Sequence, residues 1–216
     1  MSLKAAIVPV TPLQQNCAIL WDADTKRGAV IDPGGDADWV AERAAAHGVT
    51  VERILLTHGH ADHAGGAVAL KRLLGGVPIL GPGIEDRFLL EDLPVSAARF
   101  GIEGAEAVTP DRFLAEGETV PIAGRDFAVL HCPGHTPGHV VFVDAPGKVA
   151  VVGDVLFRGS IGRTDFAYGD HAALVRAIRT KLFPLGDDIA FLCGHGPGSS
   201  FGAERRSNPF VGDRAS

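Results

Sequence analysis

Residues 57–66 read Thr-His-Gly-His-Ala-Asp-His-Ala-Gly-Gly, and they place three imidazoles and one carboxylate within six residues. The largely apolar run 51–56 precedes this stretch, and such a run bounded by turn residues is typical of a buried strand. We therefore expect the polar side chains on a strand-to-helix loop. Closely spaced imidazoles with a carboxylate favour a pair of neighbouring metal ions over a solvated polar loop. The four predicted ligands are His58, His60, Asp62 and His63.

The composition is that of an ordinary globular protein of 216 residues, long enough to bury a large core. Its formal net charge of −6 argues against wide contact with nucleic-acid phosphates, so we expect no nucleic-acid partner. No apolar run is long enough to span a membrane, and the N-terminus lacks the pattern of a signal peptide. The three cysteines lie far apart, which favours reduced thiols and a cytoplasmic location.

Short apolar and β-branched runs separated by turn residues predict strands along most of the chain. We expect them at 5–10, 17–21, 28–31, 51–56, 77–80, 119–122, 127–131, 140–143, 149–152 and 189–193. Helices are predicted over 67–74 and after two N-cap residues, Asp36 and Asp170. These strands and helices together predict sheets covered by helices on their outer faces, in a single layered domain over 1–216. Residues 81–115 show no clear period, and they indicate either an insert over the active site or a surface subdomain.

Three further polar residues lie where predicted strands end in glycine-rich loops. They are His135 in His-Thr-Pro-Gly-His, Asp154 after Gly153, and His195 between two glycines. Each alone is typical of a turn or a surface loop. Together with residues 57–66 they favour a metal site, because functional residues concentrate on loops that a rigid scaffold positions.

The order of these motifs resembles the metallo-β-lactamase superfamily. Within it, the chain is similar to the short, single-domain members of the glyoxalase II (hydroxyacylglutathione hydrolase) branch, from residues 15–17 and 31–34 through 207–210. The resemblance implies an α/β fold, the αββα sandwich of two mixed β-sheets flanked by helices. It also implies two divalent metal ions, with zinc expected and iron or manganese also accepted by histidine and aspartate.

The resemblance assigns ligands to each ion. The first ion takes His58, His60 and His135; the second takes Asp62, His63 and His195; and Asp154 bridges the two. Two metals about 3.5–4 Å apart can share a water and supply hydroxide near neutral pH, which would attack the carbonyl of a thioester. Asp62 is expected to orient this hydroxide. Asp32, His131 and His139 are candidates for orienting the ligand imidazoles. For the two histidines the alternative is a structural role, as buried or surface-bonded imidazoles.

The expected substrate is a small-molecule thioester, S-D-lactoylglutathione or a related acylglutathione. Larger glyoxalase II enzymes hold glutathione with a C-terminal helical domain, and we expect no counterpart to that domain here, since about twenty residues follow His195. Candidate arginines for a substrate carboxylate are Arg158, Arg163, Arg205 and Arg206. Arg163 has an alternative role, a structural ion pair with Asp165 or Asp170. The sequence carries no indication of the oligomeric state.

Other functions use the same residues. A mononuclear iron persulfide dioxygenase would use a facial triad of His58, His135 and Asp154. Hydrolysis of another small ester, lactone or lactam is a further alternative, as is a metal-stabilised scaffold or thiol-binding module without catalysis. Cys132 and Cys193 lie close to ligand histidines in sequence, and we expect both to be buried apolar residues rather than ligands.

Overall fold

The computed structural model describes residues 2–215, which form two main β-sheets packed face to face with helices outside. In the first sheet the spatial order is β1-β2-β3-β4-β5. Its strands are β1 (Leu3–Val10), β2 (Gln15–Asp22), β3 (Arg27–Ile31), β4 (Thr50–Leu55) and β5 (Ile79–Leu80). β1, β2 and β3 are antiparallel, whereas β4 and β5 run parallel to β3, so this sheet is mixed.

The second sheet is also mixed. Its strands, in chain order, are β6 (Thr119–Ile122), β7 (Arg125–His131), β8 (Val140–Asp144), β9 (Val149–Val151), β12 (Ala190–Leu192) and β13 (Ser199–Ser200). Their spatial order is β13-β12-β9-β8-β7-β6, with β9 and β12 parallel and the other neighbours antiparallel. A separate two-stranded ribbon joins β10 (Leu156–Phe157) to β11 (Ser160–Ile161).

Helices cover both outer faces of the sheets. The α-helices are α1 (Ala37–Ala46), α2 (Ala61–Ala64), α3 (Ala67–Leu73), α4 (Arg87–Glu91), α5 (Leu93–Arg99), α6 (His171–Ala177) and α7 (Phe201–Ser207). A π-helical turn, Ile178–Leu182, continues α6, and short 3₁₀ turns lie at Ile84–Asp86 and Phe183–Leu185. None of the helices in residues 2–215 is long and apolar enough to cross a membrane.

Three apolar clusters form the core, one between the sheets and one beneath each helical layer. Strand β8 contributes to two of these clusters, because all its residues are buried. Val140 and Phe142 point into the cluster between the sheets, and Val141 and Val143 point into the cluster beneath α6. Burying such a side chain contributes about 1.5–3 kcal/mol, so a strand covered on both faces anchors the stack. The expected αββα fold is confirmed.

The loops after β4, β7, β9 and β12 meet at one edge of the sandwich. Backbone hydrogen bonds tie them together across the two sheets. Val140 donates to the carbonyl of Thr57 at 2.8 Å, Gly194 donates to that of Gly153 at 2.9 Å, and Asn16 donates to that of Gly194 at 2.8 Å. The ends of strands from both sheets therefore present their side chains to a common space.

Two local predictions differ from the structure. Asp36 precedes α1 as expected, but its side chain makes no cap bond and instead accepts the amide N–H of Thr11 at 2.7 Å. Asp62 and His63 were expected on a loop, whereas they lie on α2, a single helical turn. That turn aims both side chains inward, because residues at adjacent positions after a strand end would otherwise point in opposite directions.

Candidate metal centre

The first group of possible metal ligands consists of His58, His60 and His135, whose inner ring nitrogens converge. His60 Nδ1 lies 3.1 Å from His58 Nε2 and 3.0 Å from His135 Nε2. His58 and His135 are buried, and His60 is partly buried at the floor of a groove. Burial lowers the pKa of His60 to about 3 and also lowers those of His58 and His135, so these rings are neutral near pH 7.

The outer nitrogens of these rings have partners that fix their tautomers. His135 Nδ1 donates to the backbone carbonyl of Arg163 at 2.9 Å. His58 Nδ1 lies 3.0 Å from Thr57 Oγ1, whose own proton is committed to Asp32, so Nδ1 donates. His60 Nε2 lies 2.9 Å from the hydroxyl of Tyr168, to which it can donate. With His60 Nε2 donating to Tyr168, three inner lone pairs face one another, and a cation between them would satisfy all three.

The second group consists of Asp62, His63 and His195. His195 Nε2 lies 3.1 Å from Asp62 Oδ2, and His63 Nε2 lies 3.8 Å from the same oxygen. Burial opposes protonation of His63, but the carboxylates of Asp154 and Asp62 outweigh it and raise the pKa of His63 well above its usual value. Burial likewise opposes the charge of Asp62, and His63 outweighs it, so the pKa of Asp62 is lowered.

Asp154 lies between the two groups. Its Oδ1 is 3.4 Å from His63 Nε2, and its Oδ2 is 3.5 Å from His135 Nε2 and 3.7 Å from His195 Nε2. Burial would raise the pKa of Asp154, but His63 outweighs that effect and lowers it. A carboxylate with a lowered pKa that faces both groups is a candidate for a bridge between two metal ions.

Two buried atoms of these groups lack hydrogen-bond partners, His63 Nε2 and Asp154 Oδ1. A buried polar atom without a partner costs about 1–3 kcal/mol, and more when it is charged. The Nδ1 of His63 donates to Asp32 at 2.9 Å, so Nε2 is the nitrogen that would bind a metal once its proton has been displaced. Nitrogen and carboxylate oxygen donors in this arrangement fit divalent ions such as zinc, iron or manganese.

Asp32 lies beside the imidazole of His63 and the backbone of the loop that carries His58. Its Oδ1 accepts the amide N–H of Thr57 at 2.7 Å, and its Oδ2 accepts the Thr57 hydroxyl at 2.6 Å and His63 Nδ1 at 2.9 Å. His139 is also close, because its ring stacks on that of His58 at 4.6 Å and its Nε2 accepts the amide N–H of Asp154 at 3.0 Å. Both residues therefore orient the side chains that line the two groups.

The remaining predicted residues lie further out. His131 bonds the carbonyl of Pro137 at 2.7 Å, so it braces the loop rather than a ligand ring. Arg205 and Arg206 pair with Asp187 away from the groups, and Arg205 lines a different cavity, of about 490 Å³. That position does not fit a role in holding substrate at the metal groups.

Arg158 lies in the turn between β10 and β11, whereas Arg163 follows β11. Arg158 is exposed, and it is not among the residues that line the groove. Arg163 lines the groove and forms a forked ion pair with Asp165, at 2.7 and 2.8 Å. The structure thus shows the ion pair with one of the two predicted partners.

Both cysteines near the ligand loops belong to the apolar cluster beneath α6. Burial raises the pKa of Cys132 to about 12 and that of Cys193 to about 11. A buried thiol of this kind stays protonated, and the thiolate is the form that binds metals. The expectation that these residues are small apolar core residues agrees with this packing.

Sequence reasoning missed Asp86, which joins the two loops that carry the first group. Its Oδ2 accepts the amide N–H of Gly59 at 2.9 Å and the hydroxyl of Thr136 at 2.7 Å, and its Oδ1 accepts the amide N–H of Gly138 at 2.6 Å. The Glu-Asp pair at 85–86 within an undecipherable segment gave no signal of this contact.

Asn16 and Gly194 were likewise missed as residues that set the position of His195. The side-chain amide of Asn16 donates to the carbonyls of Cys193 at 3.0 Å and Gly196 at 2.8 Å. A Cβ at Gly194 would overlap the carboxylate of Asp154 and lie 2.5 Å from the ring of His63. Only glycine therefore lets this loop approach the second group.

A groove of about 1050 Å³ opens onto both groups. One wall comes from α4, α5 and the residue that follows them, with Phe88, Leu89 and Phe100. Phe166 and Tyr168 also line the groove, next to Phe88. Part of residues 81–115 thus lines the groove that reaches both groups, and the groove is large enough for a drug-sized ligand.

Comparison with known proteins agrees with this architecture. Residues 10–195 match the family model described as the metallo-beta-lactamase superfamily. The chain is 50% identical to the hydroxyacylglutathione hydrolase GloC of Haemophilus influenzae, over 99% of this chain and all of that protein.

Two solved structures are also similar. BLEG-1, described as a B3 metallo-beta-lactamase, is 35% identical with a TM-score of 0.88, covering 96% of this chain and 99% of its own. TTHA1623, solved in a di-iron-bound form, is 35% identical with a TM-score of 0.85, covering 95% and 100%. The matched region contains every predicted ligand, and the chain is a metal-dependent hydrolase that belongs to the metallo-β-lactamase superfamily.

Proposed function

We propose that this chain hydrolyses thioesters of glutathione, using two divalent metal ions, with zinc the expected metal. The observation that carries the proposal is the placement of Asp154 between two converging groups of ligand atoms. The first ion would be held by His58, His60 and His135, and the second by Asp62, His63 and His195, with Asp154 between them. The relative with 50% identity is named for this activity.

When bound, two divalent ions would polarise a carbonyl and lower the pKa of water, which supplies a nucleophile near neutral pH. The side chains set the direction of attack. Asp62 lies at the groove with an ionised carboxylate, and it can accept a hydrogen bond from the attacking water and orient it. The half-buried His195 contacts Oδ2 of Asp62 through its Nε2 and limits the movement of that carboxylate.

Glutathione adds carboxylates that the groove can recognise. Arg163 lies at the groove wall, and its guanidinium forms an exposed fork with Asp165. An exposed ion pair is worth little, about 0–1 kcal/mol, so a substrate carboxylate can replace Asp165 at low cost. Residues 81–115 would act as the insert that closes this groove, since Phe88 and Phe100 lie within its wall.

A β-lactam is the second candidate substrate, because BLEG-1, at 35% identity over almost its whole length, is described as a B3 metallo-beta-lactamase. Both reactions require attack on an acyl carbon. The persulfide dioxygenase alternative needs only His58, His135 and Asp154, and the presence of a second ligand group beside them favours the hydrolase.

The test measures metal content and S-lactoylglutathione hydrolysis on one purified sample, with a β-lactam and oxygen uptake on glutathione persulfide alongside. We expect about two metal ions per chain and thioester turnover. One iron per chain with oxygen uptake and little hydrolysis would replace the proposal with the dioxygenase. Lactam turnover without thioester turnover would replace it with the second candidate.

A variant tests the bridge itself. Asp154→Asn removes the charge that faces both groups, so we expect fewer than two metals per chain and a loss of most turnover. Asp92→Asn is the matched control, since Asp92 lines the same groove outside both groups. Full metal content and full activity in Asp154→Asn would show that Asp154 does not bind the metal ions.

A further inference from the structure

We propose that an aromatic shelf, formed by Phe88, Phe166 and Tyr168, binds the acyl group of the substrate and selects apolar acyl groups over lactoyl. The inference rests on the proposed thioester hydrolysis and specifies its substrate. It concerns the side of the groove next to the first ligand group.

The shelf begins at the ligand imidazoles and runs outward. The Phe166 ring lies 5.1 Å from that of His60 and 5.6 Å from that of His135, measured between centroids. Tyr168 stacks on Phe166 at 5.2 Å, with 14° between the ring planes, and Phe88 meets Tyr168 edge to face at 5.4 Å. A substituent on an acyl carbon held at the first group would meet these rings directly.

The rings are held in place before any substrate arrives. The hydroxyl of Tyr168 is fixed by His60 Nε2 at 2.9 Å, and the guanidinium of Arg163 lies 4.6 Å from the centre of the Phe166 ring. Preorganised aromatic surfaces bind apolar groups without a further loss of side-chain entropy. The shelf is therefore a built surface rather than a flexible one.

Phe88 completes the shelf and remains 45% exposed, although it is a large aromatic side chain. It points into the groove together with Leu89 and Phe100, of which Phe100 is 51% exposed. Contiguous apolar surface left open beside a reaction centre marks a ligand-binding surface. A bound apolar group would remove these rings from water.

The chemistry of the substrate indicates which part lies on the shelf. Glutathione carries two carboxylates and an ammonium group, which gain nothing from an apolar surface, and they suit the arginine beside the groove. A lactoyl group offers one methyl and one hydroxyl, and it would leave most of the shelf in water. A phenyl or branched alkyl group in place of that methyl would cover it.

The experiment compares two hydroxyacyl thioesters that differ only in this substituent, S-D-lactoylglutathione and S-D-mandeloylglutathione, on metal-loaded protein. We expect kcat/KM to favour the mandeloyl compound by at least about tenfold, since a small apolar group in a fitted pocket is worth about 10–200-fold. Phe88→Ala should remove most of this preference, because it removes the ring that completes the shelf. Val95→Ala is the control, because Val95 is 53% exposed on the neighbouring helix and does not line the groove.

Calorimetric binding of S-benzylglutathione and S-methylglutathione gives a second readout that does not depend on turnover. We expect the benzyl compound to bind about tenfold more tightly, and Phe88→Ala to abolish the difference. Equal kcat/KM and equal binding for the two members of each pair would refute the role of the shelf in acyl selection. The proposed thioester hydrolysis would still stand. Absence of turnover with both thioesters would instead overturn the proposed function, on which the shelf depends.

Discussion

Replacing Asp32 with asparagine tests whether a carboxylate behind the site controls metal binding through the tautomer of one imidazole. Asp32 offers only acceptors, so His63 Nδ1, 2.9 Å away, carries the proton and Nε2 keeps its lone pair for a metal. Asparagine has almost the same shape. Its oxygen can still accept the amide N–H of Thr57, but its NH₂ group then faces His63 and the Thr57 hydroxyl.

The hydroxyl can rotate, whereas the imidazole must move its proton to Nε2 to accept from the new donor. That proton would point at Asp62 and Asp154, whose oxygens lie 3.8 and 3.4 Å from Nε2. A protonated Nε2 cannot bind a metal. Changes in the partners of ligand histidines cost about 10–100-fold in metal affinity, which is about 1.4–2.7 kcal/mol.

The sign of the effect on stability depends on the metal. In metal-free protein the raised pKa of His63 already keeps a proton on Nε2, facing Asp62 and Asp154, so Asp32→Asn loses only two charge-assisted hydrogen bonds, each worth about 1.5–3 kcal/mol. Metal-loaded protein loses these bonds and also part of the metal-binding free energy. We therefore expect the free energy of unfolding to fall more in metal-loaded protein than in metal-free protein.

Competition with a chelator measures the affinity of the more weakly bound metal ion. Urea unfolding with and without metal measures the two free energies of unfolding. Asp22→Asn is the control, because Asp22 is a buried carboxylate that accepts backbone amides in a turn far along the sheet. Two metals bound with unchanged affinity in Asp32→Asn would refute the tautomer argument.

Three further variants test other parts of the site. Gly194→Ala should lose most of the second metal, because the added methyl displaces the loop, and metal content measures this loss. Gly196→Ala in the same loop is the control, since a Cβ there meets nothing within 4 Å. It should only cost about 1–3 kcal/mol of stability, because its φ is +68°. Tyr168→Phe should weaken metal binding about tenfold by freeing His60 Nε2, and unchanged affinity would show that the hydroxyl does not orient the ring. Arg163→Ala should raise KM for a carboxylated thioester several-fold with kcat unchanged, and KM equal to that of the wild type would return Arg163 to its ion pair.

The sequence determined the layered fold class and the polar residues at the strand ends, because both depend on local pattern. Strands such as β8 are continuous apolar runs, and a chain of this size with alternating strands and helices has few ways to cover them. His58, His60 and His63 follow one strand at a spacing that local geometry brings together. The predicted convergence of more distant residues needed the family pattern as well.

The tertiary structure alone decided which remote residues support the site. Asp86 and Asn16 act through hydrogen bonds to backbone groups, so neither their type nor their spacing marks them in the sequence. Arg163 and Arg205 are chemically alike, and only packing places Arg163 at the groove and Arg205 beside Asp187. Such contacts join segments far apart along the chain, and their geometry exists only once the two sheets have packed together.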